Sequence, residues 1–190
     1  MPQRDPVLIG FMGPAGAGKS TAAGYLCDQH DFTVDAFAEP IRDMLTALLV
    51  SAGIDYAYLF EPGVKEQPIP GLGVSARQLM QTLGDWGRSI DPDFWVKHAA
   101  MRLGLHDLPN SAPIHDRIAL SDVRFPNEAE WIKRMGGQVV AVDRDTAPVR
   151  DHASEQQFGL IEPDLRIDNT GDLFDLRLQL DEQLAPTFTA

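Results

Sequence analysis

The chain has 190 residues, 44% hydrophobic and 23% charged, which is enough apolar side chain for a core, so disorder is not the default and a single domain over 1–190 is expected. Sixteen Lys+Arg against 28 Asp+Glu give a formal charge of −12. That argues against a protein that lives on a nucleic-acid polymer, but it leaves room for a basic pocket around one small phosphorylated molecule. The single Cys27 can form neither an internal disulfide nor a cysteine-based zinc site. The polar Met1–Pro6 start and the short apolar runs predict no targeting segment, no membrane partner and a cytoplasmic setting.

Val7–Phe11 is a short apolar run of the kind needed by a strand buried on both faces. A glycine-rich stretch follows, and Ser20–His30 reads as a helix. Thr33–Phe37 predicts a second strand. Pro40–Ser51 predicts an amphipathic helix, with Ile41, Met44, Leu45, Leu48 and Leu49 at helical spacing. Glu61–Gly73, with three prolines and three glycines, reads as a loop. Ser75 suits the N-cap of a helix containing Leu79, Met80 and Leu83, and Asp91 that of a helix over Pro92–Leu103. Gly104–Arg117 reads as a surface loop. Ile118–Ser121 predicts a strand ending at Asp122, and Pro126–Met135 a helix stopped by Gly136-Gly137. Gln138–Val142 and Leu165–Ile167 predict further strands, and Asp172–Leu184 a closing helix. Strands alternating with helices predict an α/β fold around a parallel sheet, with ligands at the carboxyl ends of the strands. That rule puts the Gly13 loop, Asp35 and Asp122 on one edge.

Gly13-Pro14-Ala15-Gly16-Ala17-Gly18-Lys19-Ser20 matches the phosphate-loop pattern G-x-x-x-x-G-K-[ST]. Glycines allow positive φ and close approach of backbone to phosphate oxygens. Successive N–H groups then face one concavity, backed by the positive end of the next helix. Lys19 supplies a point charge toward the β and γ phosphates, and Ser20 a hydroxyl for Mg²⁺. Gly13, Ala15, Gly16, Ala17, Gly18, Lys19, Ser20 and Thr21 are therefore the candidate ATP contacts. No Asn-Lys-x-Asp segment is present, which argues against a GTPase, and the short acidic chain does not suit a nucleic-acid motor. A small-molecule kinase needs an acceptor site, positive charge around the travelling phosphoryl group and a cover against water. Arg42, Lys65, Arg77 and Arg88, between about 38 and 103, suggest an anionic acceptor. Arg77 lies one turn before Gln81 and Arg88 just beyond Trp86, so guanidinium, amide and indole could hold a phosphate and a nucleobase together. Each cation taken alone is equally an ordinary solvated charge.

At these residues the sequence resembles the phage-type deoxynucleoside monophosphate kinases. The resemblance lies in Arg77-Gln78-Leu79-Met80-Gln81-Thr82-Leu83-Gly84, Trp86, Arg88, Phe94-Trp95, Asp122-Val123-Arg124-Phe125-Pro126-Asn127-Glu128, Gly136-Gly137, Ser154-Glu155 and Asp168-Asn169. It implies a three-layer phosphate-loop kinase fold with a five-stranded parallel sheet. It also implies transfer of the γ-phosphoryl group of ATP, with Mg²⁺, to a deoxynucleoside 5′-monophosphate, giving the diphosphate and ADP. Asp122 and Asp143 compete for the metal-side position. Pattern slightly favours Asp143, while the resemblance favours Asp122 with Arg124 two residues on, and Asp122 is the expected catalytic carboxylate. Asp35 suits either the acceptor side or a structural cap. A cover is expected over about 144–156, with Arg144 and Arg150 as charge-neutralising arginines. The resemblance gives Asn169 an adenine contact, and an N-cap near Asp172 fits as well. Trp86, Phe94 and Trp95 are candidates for a wall against a 2′-hydroxyl. The five histidines read as surface or loop residues. Two other readings use the same loop: a different small-molecule kinase, such as a dephospho-coenzyme A kinase, and a non-catalytic ATP-binding switch. The accepted bases and the oligomeric state, a homodimer included, are left open.

Overall fold

A computed structural model of the chain describes residues 6–61, 63–106, 113–144 and 157–188. The chain falls into two compact units, Met1–Phe37 with Val96–Ala190, and Ala38–Trp95.

The first unit is built on five parallel strands: β1 (Val7–Met12), β2 (Thr33–Asp35), β3 (Arg117–Val123), β4 (Gln138–Asp143) and β5 (Leu165–Asp168). Their order is β2-β3-β1-β4-β5, so β1, which leads into the glycine-rich loop, lies in the middle. Period-two alternation divides the strand side chains between two cores. Leu8, Met12, Ile118, Leu120, Val139 and Ala141 lie in one core, with Val96, Ala99 and Leu103 of α4 (Phe94–Leu103) and Trp131 and Ile132 of α5 (Pro126–Arg134). Ile9, Phe11, Ala119, Val140, Val142 and Ile167 lie in the other. There they meet Ala22, Ala23 and Leu26 of α1 (Lys19–His30) and Leu176, Leu180 and Leu184 of α6 (Leu173–Phe188). Apolar residues on both faces are what made these strands read as continuous apolar runs.

The second unit holds α2 (Glu39–Ser51), a short 3₁₀ turn at Tyr56–Leu59, and α3 (Ala76–Ile90) around Ile41, Leu45, Leu49, Leu59, Ile69, Ala76 and Trp95. Ser75 and Gln78 form a reciprocal capping box that starts α3, as Ser75 promised. Trp95 fills the space beside Gly87, where a Cβ would stand 2.6 Å from the indole, and its Nε1 donates to Gly84 O at 2.9 Å.

Two of the boundaries that differ from the sequence reading do so for visible reasons. β2 stops at Asp35 and not at Phe37, because side chains take the next amides: Ala36 N donates to Asp35 Oδ1 and Phe37 N to Asp122 Oδ1. The last helix runs past Leu184 to Phe188 despite Pro186. Tertiary bonds hold that turn: Thr187 Oγ1 donates to Gln138 Oε1 and Arg117 Nη2 to Phe188 O, both at 2.8 Å. His30 stacks on Phe188 with centroids 3.9 Å apart and pairs with Asp181, so this histidine belongs to the packing. The 3₁₀ turn at Tyr56–Leu59 was not anticipated; Asp55 caps it through Ala57 N.

Two glycines give opposite expectations. A Cβ on Gly137 would sit 2.5 Å from the backbone Leu8 O of β1, an atom that cannot rotate away. Gly24, inside α1, faces open space. Gly137→Ala is expected to cost about 2 kcal/mol and lower Tm by roughly 4–8 °C. Gly24→Ala is expected to stabilise by about 0.5–1 kcal/mol. Thermal melts of the two variants check the pair, and equal effects would contradict this packing.

Candidate active site

The Gly13–Ser20 loop joins β1 to α1. Gly13, Gly16 and Gly18 take φ of +138°, +82° and +104°, so the chain uses the left-handed freedom that the motif provides. Gly13 has a second reason to be glycine, because a Cβ would collide with Val142 O at the end of β4. Lys19 is buried, and its Nζ donates to Gly13 O at 2.6 Å and Pro14 O at 2.7 Å, which holds the ammonium against the loop. Ser20 and Thr21 are exposed in the first turn of α1, while Ala15 is half-buried and Ala17 buried.

Asp122 sits in an irregularity. Gly10 pairs with Leu120 and Met12 with Val123, so β3 carries one extra residue across Ser121–Asp122. Such a bulge re-aims a side chain beside a site, and it accounts for the polar break at Ser121 in an otherwise apolar strand. Asp122 is buried and accepts from Phe37 N at 2.8 Å. Asp143, its competitor, is exposed at the end of β4 and pairs with Arg166 at 3.1 Å. The half-buried Arg124 follows Asp122, and its amide donates to Glu128 Oε2 at 2.8 Å.

Asp35 is gripped by a residue that the sequence reading did not select. Arg102 of α4 donates from Nη2 to Asp35 Oδ1 at 2.7 Å, from Nε to Asp35 Oδ2 at 3.1 Å, and from Nη2 to Ala36 O at 2.8 Å. The partners lie 67 positions apart, and no local pattern marks Arg102. Glu128 was likewise unassigned, although its position three residues after Phe125 at the start of α5 is a capping signal.

Asn169 follows β5 and is only 7% exposed. Its Nδ2 donates to Ala17 O of the loop at 2.7 Å, so it is no helix cap. Asp172 fills that role, accepting from Phe174 N at 2.7 Å and Asp175 N at 3.0 Å.

The remaining candidates lie in the second unit. Arg77, Gln81 and Arg88 recur at spacings of four and seven on α3 and share one face. Each of the three arginines has an acidic neighbour: Arg42 with Glu39 at 2.6 Å, Arg88 with Asp85 at 2.8 Å, and Arg77 with Glu66. Lys65 is half-buried, and its carbonyl accepts from Arg77 N at 3.0 Å. Trp86 is 48% exposed, with Phe94 edge-on at 5.8 Å. Trp95 is buried in the core of the unit, which corrects its reading as a wall against a hydroxyl. Arg144 is exposed at the end of β4. Arg150 and the rest of the expected cover, 145–156, lie outside the described residues.

Central β1, the phosphate loop and the parallel order of the strands define a phosphate-loop nucleotide-binding fold of the α/β class. The family model for deoxynucleotide monophosphate kinase matches residues 66–180, more than half of the chain. A protein of Acanthamoeba polyphaga mimivirus named "Putative deoxynucleotide monophosphate kinase" is 34% identical over 163 residues, covering 80% of this chain and 82% of that protein. "Uncharacterized protein ORF77" of Ictalurid herpesvirus 1 (strain Auburn) is 31% identical over 86 residues, 42% of this chain and 35% of that protein. Among solved structures, a gluconokinase from Sinorhizobium meliloti 1021 overlays with a TM-score of 0.49 at 12% identity, over 98% of this chain and 96% of that one. The chain belongs to the deoxynucleotide monophosphate kinase family, and it is a phosphotransferase.

Glu128 gives the site a pH signature. Burial, and secondarily the charge of Asp122, push its carboxyl up to about 8, against the lowering effect of the Arg124 and Phe125 amides. A carboxyl raised in the folded state binds a proton there that the unfolded chain has released. Its contribution to stability is therefore full below pH 4.5 and is lost as pH rises toward 8. Gln keeps an acceptor for the two amides and cannot ionise. The stability of Glu128→Gln relative to the natural chain is expected to grow between pH 5 and 8, by on the order of 2–4 kcal/mol. Urea melts across that range check this, and a pH-independent difference would contradict it.

Proposed function

We propose that the chain transfers the γ-phosphoryl group of ATP to a deoxynucleoside 5′-monophosphate, with each substrate met by the residues that follow. The single observation that carries this reading is the Gly13–Ser20 loop, with positive φ at three glycines and Lys19 held against it. Gly13, Ala15, Gly16, Ala17, Gly18, Lys19, Ser20 and Thr21 hold the triphosphate. Arg42, Lys65, Arg77, Gln81, Trp86 and Arg88 hold the monophosphate, with Arg124 and Asp35 assisting. An anionic acceptor exchanges the carboxylates of Glu39, Glu66 and Asp85 for its own phosphate oxygens. This specialised use of residues 38–103 for the acceptor sits inside one kinase domain. Its small substrates are free nucleotides in the cytoplasm, a reading that the charge of −12 supports against a polymer.

Family membership implies ATP, and typically Mg²⁺. The donor set suits that ion, which takes one or two protein oxygens and completes its shell with phosphate and water. Ser20 and Asp122 would hold it, and it would supply charge neutralisation on the phosphates. The chain's own work is positioning and charge stabilisation. The acceptor oxygen is already anionic, so no protein nucleophile is required. Lys19, Arg144 and Arg150 neutralise the charge of the travelling group. Interactions made mainly at the moment of transfer raise turnover and not ground-state binding.

A coupled ADP-release assay over a panel of deoxynucleoside and nucleoside monophosphates and dephospho-coenzyme A tests the proposal. Release that depends on at least one deoxynucleotide is expected, and Lys19→Ala is expected to lower turnover about 10²-fold or more with the fold intact. Release with dephospho-coenzyme A alone, release independent of any acceptor, or near-normal turnover in Lys19→Ala would overturn it.

A further inference from the structure

We infer that Asn169 is a positioning residue that sets a peptide direction inside the phosphate loop, and so acts on the triphosphate of the donor and not on its base. The inference rests on the reading of the loop as a nucleotide site.

Asn169 is tied at both its backbone and its side chain. Its amide N donates to Asp143 O at 2.8 Å and its Nδ2 to Ala17 O at 2.7 Å. The turn that carries it is fixed in turn. Gln179 of α6 brackets the preceding residue, accepting from Asp168 N at 3.0 Å and donating to Asp168 O at 2.7 Å. Thr170 N donates to Asp168 Oδ1 at 2.9 Å. Asn169 is therefore the tip of a braced arm that starts on α6 and ends on the loop.

The carbonyl it grips and the Gly18 N–H belong to one peptide unit. In a planar trans peptide, C=O and N–H point in opposite directions. Holding Ala17 O toward Asn169 therefore turns Gly18 N–H away from Asn169. Asn169 lies behind the loop, beside Val142 at the end of β4, so that N–H is directed to the loop's other side. The packing supports the same account, because a Cβ on Gly18 would collide with Asn169 Nδ2. Gly18 is thus required by its positive φ and also by the side chain seated against it. One of the two Nδ2 hydrogens is engaged on Ala17 O, so the side chain is oriented by the loop whatever its second N–H and Oδ1 meet.

The test measures binding to the full-length chain, without acceptor, by calorimetric titration of two probes: Mg-ATP and Mg-tripolyphosphate, which has no base. In Asn169→Ala both affinities are expected to fall by the same factor, roughly ten-fold. Asn169→Asp has the same shape but turns an acceptor toward Ala17 O, so it is expected to bind no better than Asn169→Ala. Gln179→Leu, which loosens the arm one step from the loop, is expected to give a smaller fall with the same parity between the probes. Weakened ATP with unchanged tripolyphosphate would overturn the inference in favour of a base contact. Unchanged affinities for both probes with only a lower Tm would reduce Asn169 to a packing residue, and full binding in Asn169→Asp would equally contradict it. If the natural chain binds neither probe, this inference and the proposed function fall together. If it binds both but transfers nothing to a deoxynucleotide, only the proposed function does.

Discussion

The direction of a few peptide units between β1 and α1 is the constraint on which the rest of the first unit depends. Backbone N–H groups hold a phosphate only when several converge, and convergence needs left-handed φ at the glycines. Gly16 faces open space, whereas Gly13 and Gly18 lie against Val142 O and Asn169. The exits of β4 and β5 thus form a wall behind the loop. Central placement of β1 makes that wall possible, because β4 pairs with β1 directly and β5 with β4. A sheet with β1 at its edge would offer no such support.

Electrostatics poses the second requirement. A chain of net charge −12 has to receive two polyanions. Its acids near the strand ends are each compensated within their own neighbourhood. Asp35 lies in the fork of Arg102, Asp122 accepts a backbone amide, and burial keeps Glu128 protonated near neutral pH. In the second unit the acids are set instead beside the arginines, at Glu39, Glu66 and Asp85. Exposed pairs of this kind are individually weak, so a ligand phosphate can replace the carboxylates at small cost, and a bidentate guanidinium suits phosphate better than an ammonium would.

Much of this was legible in the sequence because local chemistry wrote it there. The phosphate loop has its spacing because backbone and lysine must reach one anion. The strands read as apolar runs because both faces of the sheet are covered, and Ser75 announced α3 through its capping box. What was not legible depends on partners far away in sequence. Nothing near Phe37 says that Asp122, 85 positions on, will take its amide and end β2. Arg102 has no meaning until α4 is folded beside Asp35. Trp95 and Trp86 look alike in sequence, yet one is sealed against Gly84 and Gly87 while the other is half exposed. Asn169 carried a family signal, but its bond to Ala17 crosses 152 positions, and only the folded chain gives the amide that task.

The account makes the loop a donor site and the chain a transferase, which can be separated from simple nucleotide binding or hydrolysis by following the phosphorus itself. The most direct measurement is to supply ATP labelled in its γ-phosphoryl group, with Mg²⁺ and an equimolar mixture of the four common deoxynucleoside monophosphates, and to resolve the labelled products. The account expects label in the β position of one or more deoxynucleoside diphosphates, appearing in step with ADP. Label found only in inorganic phosphate, or retained in ATP, would contradict it.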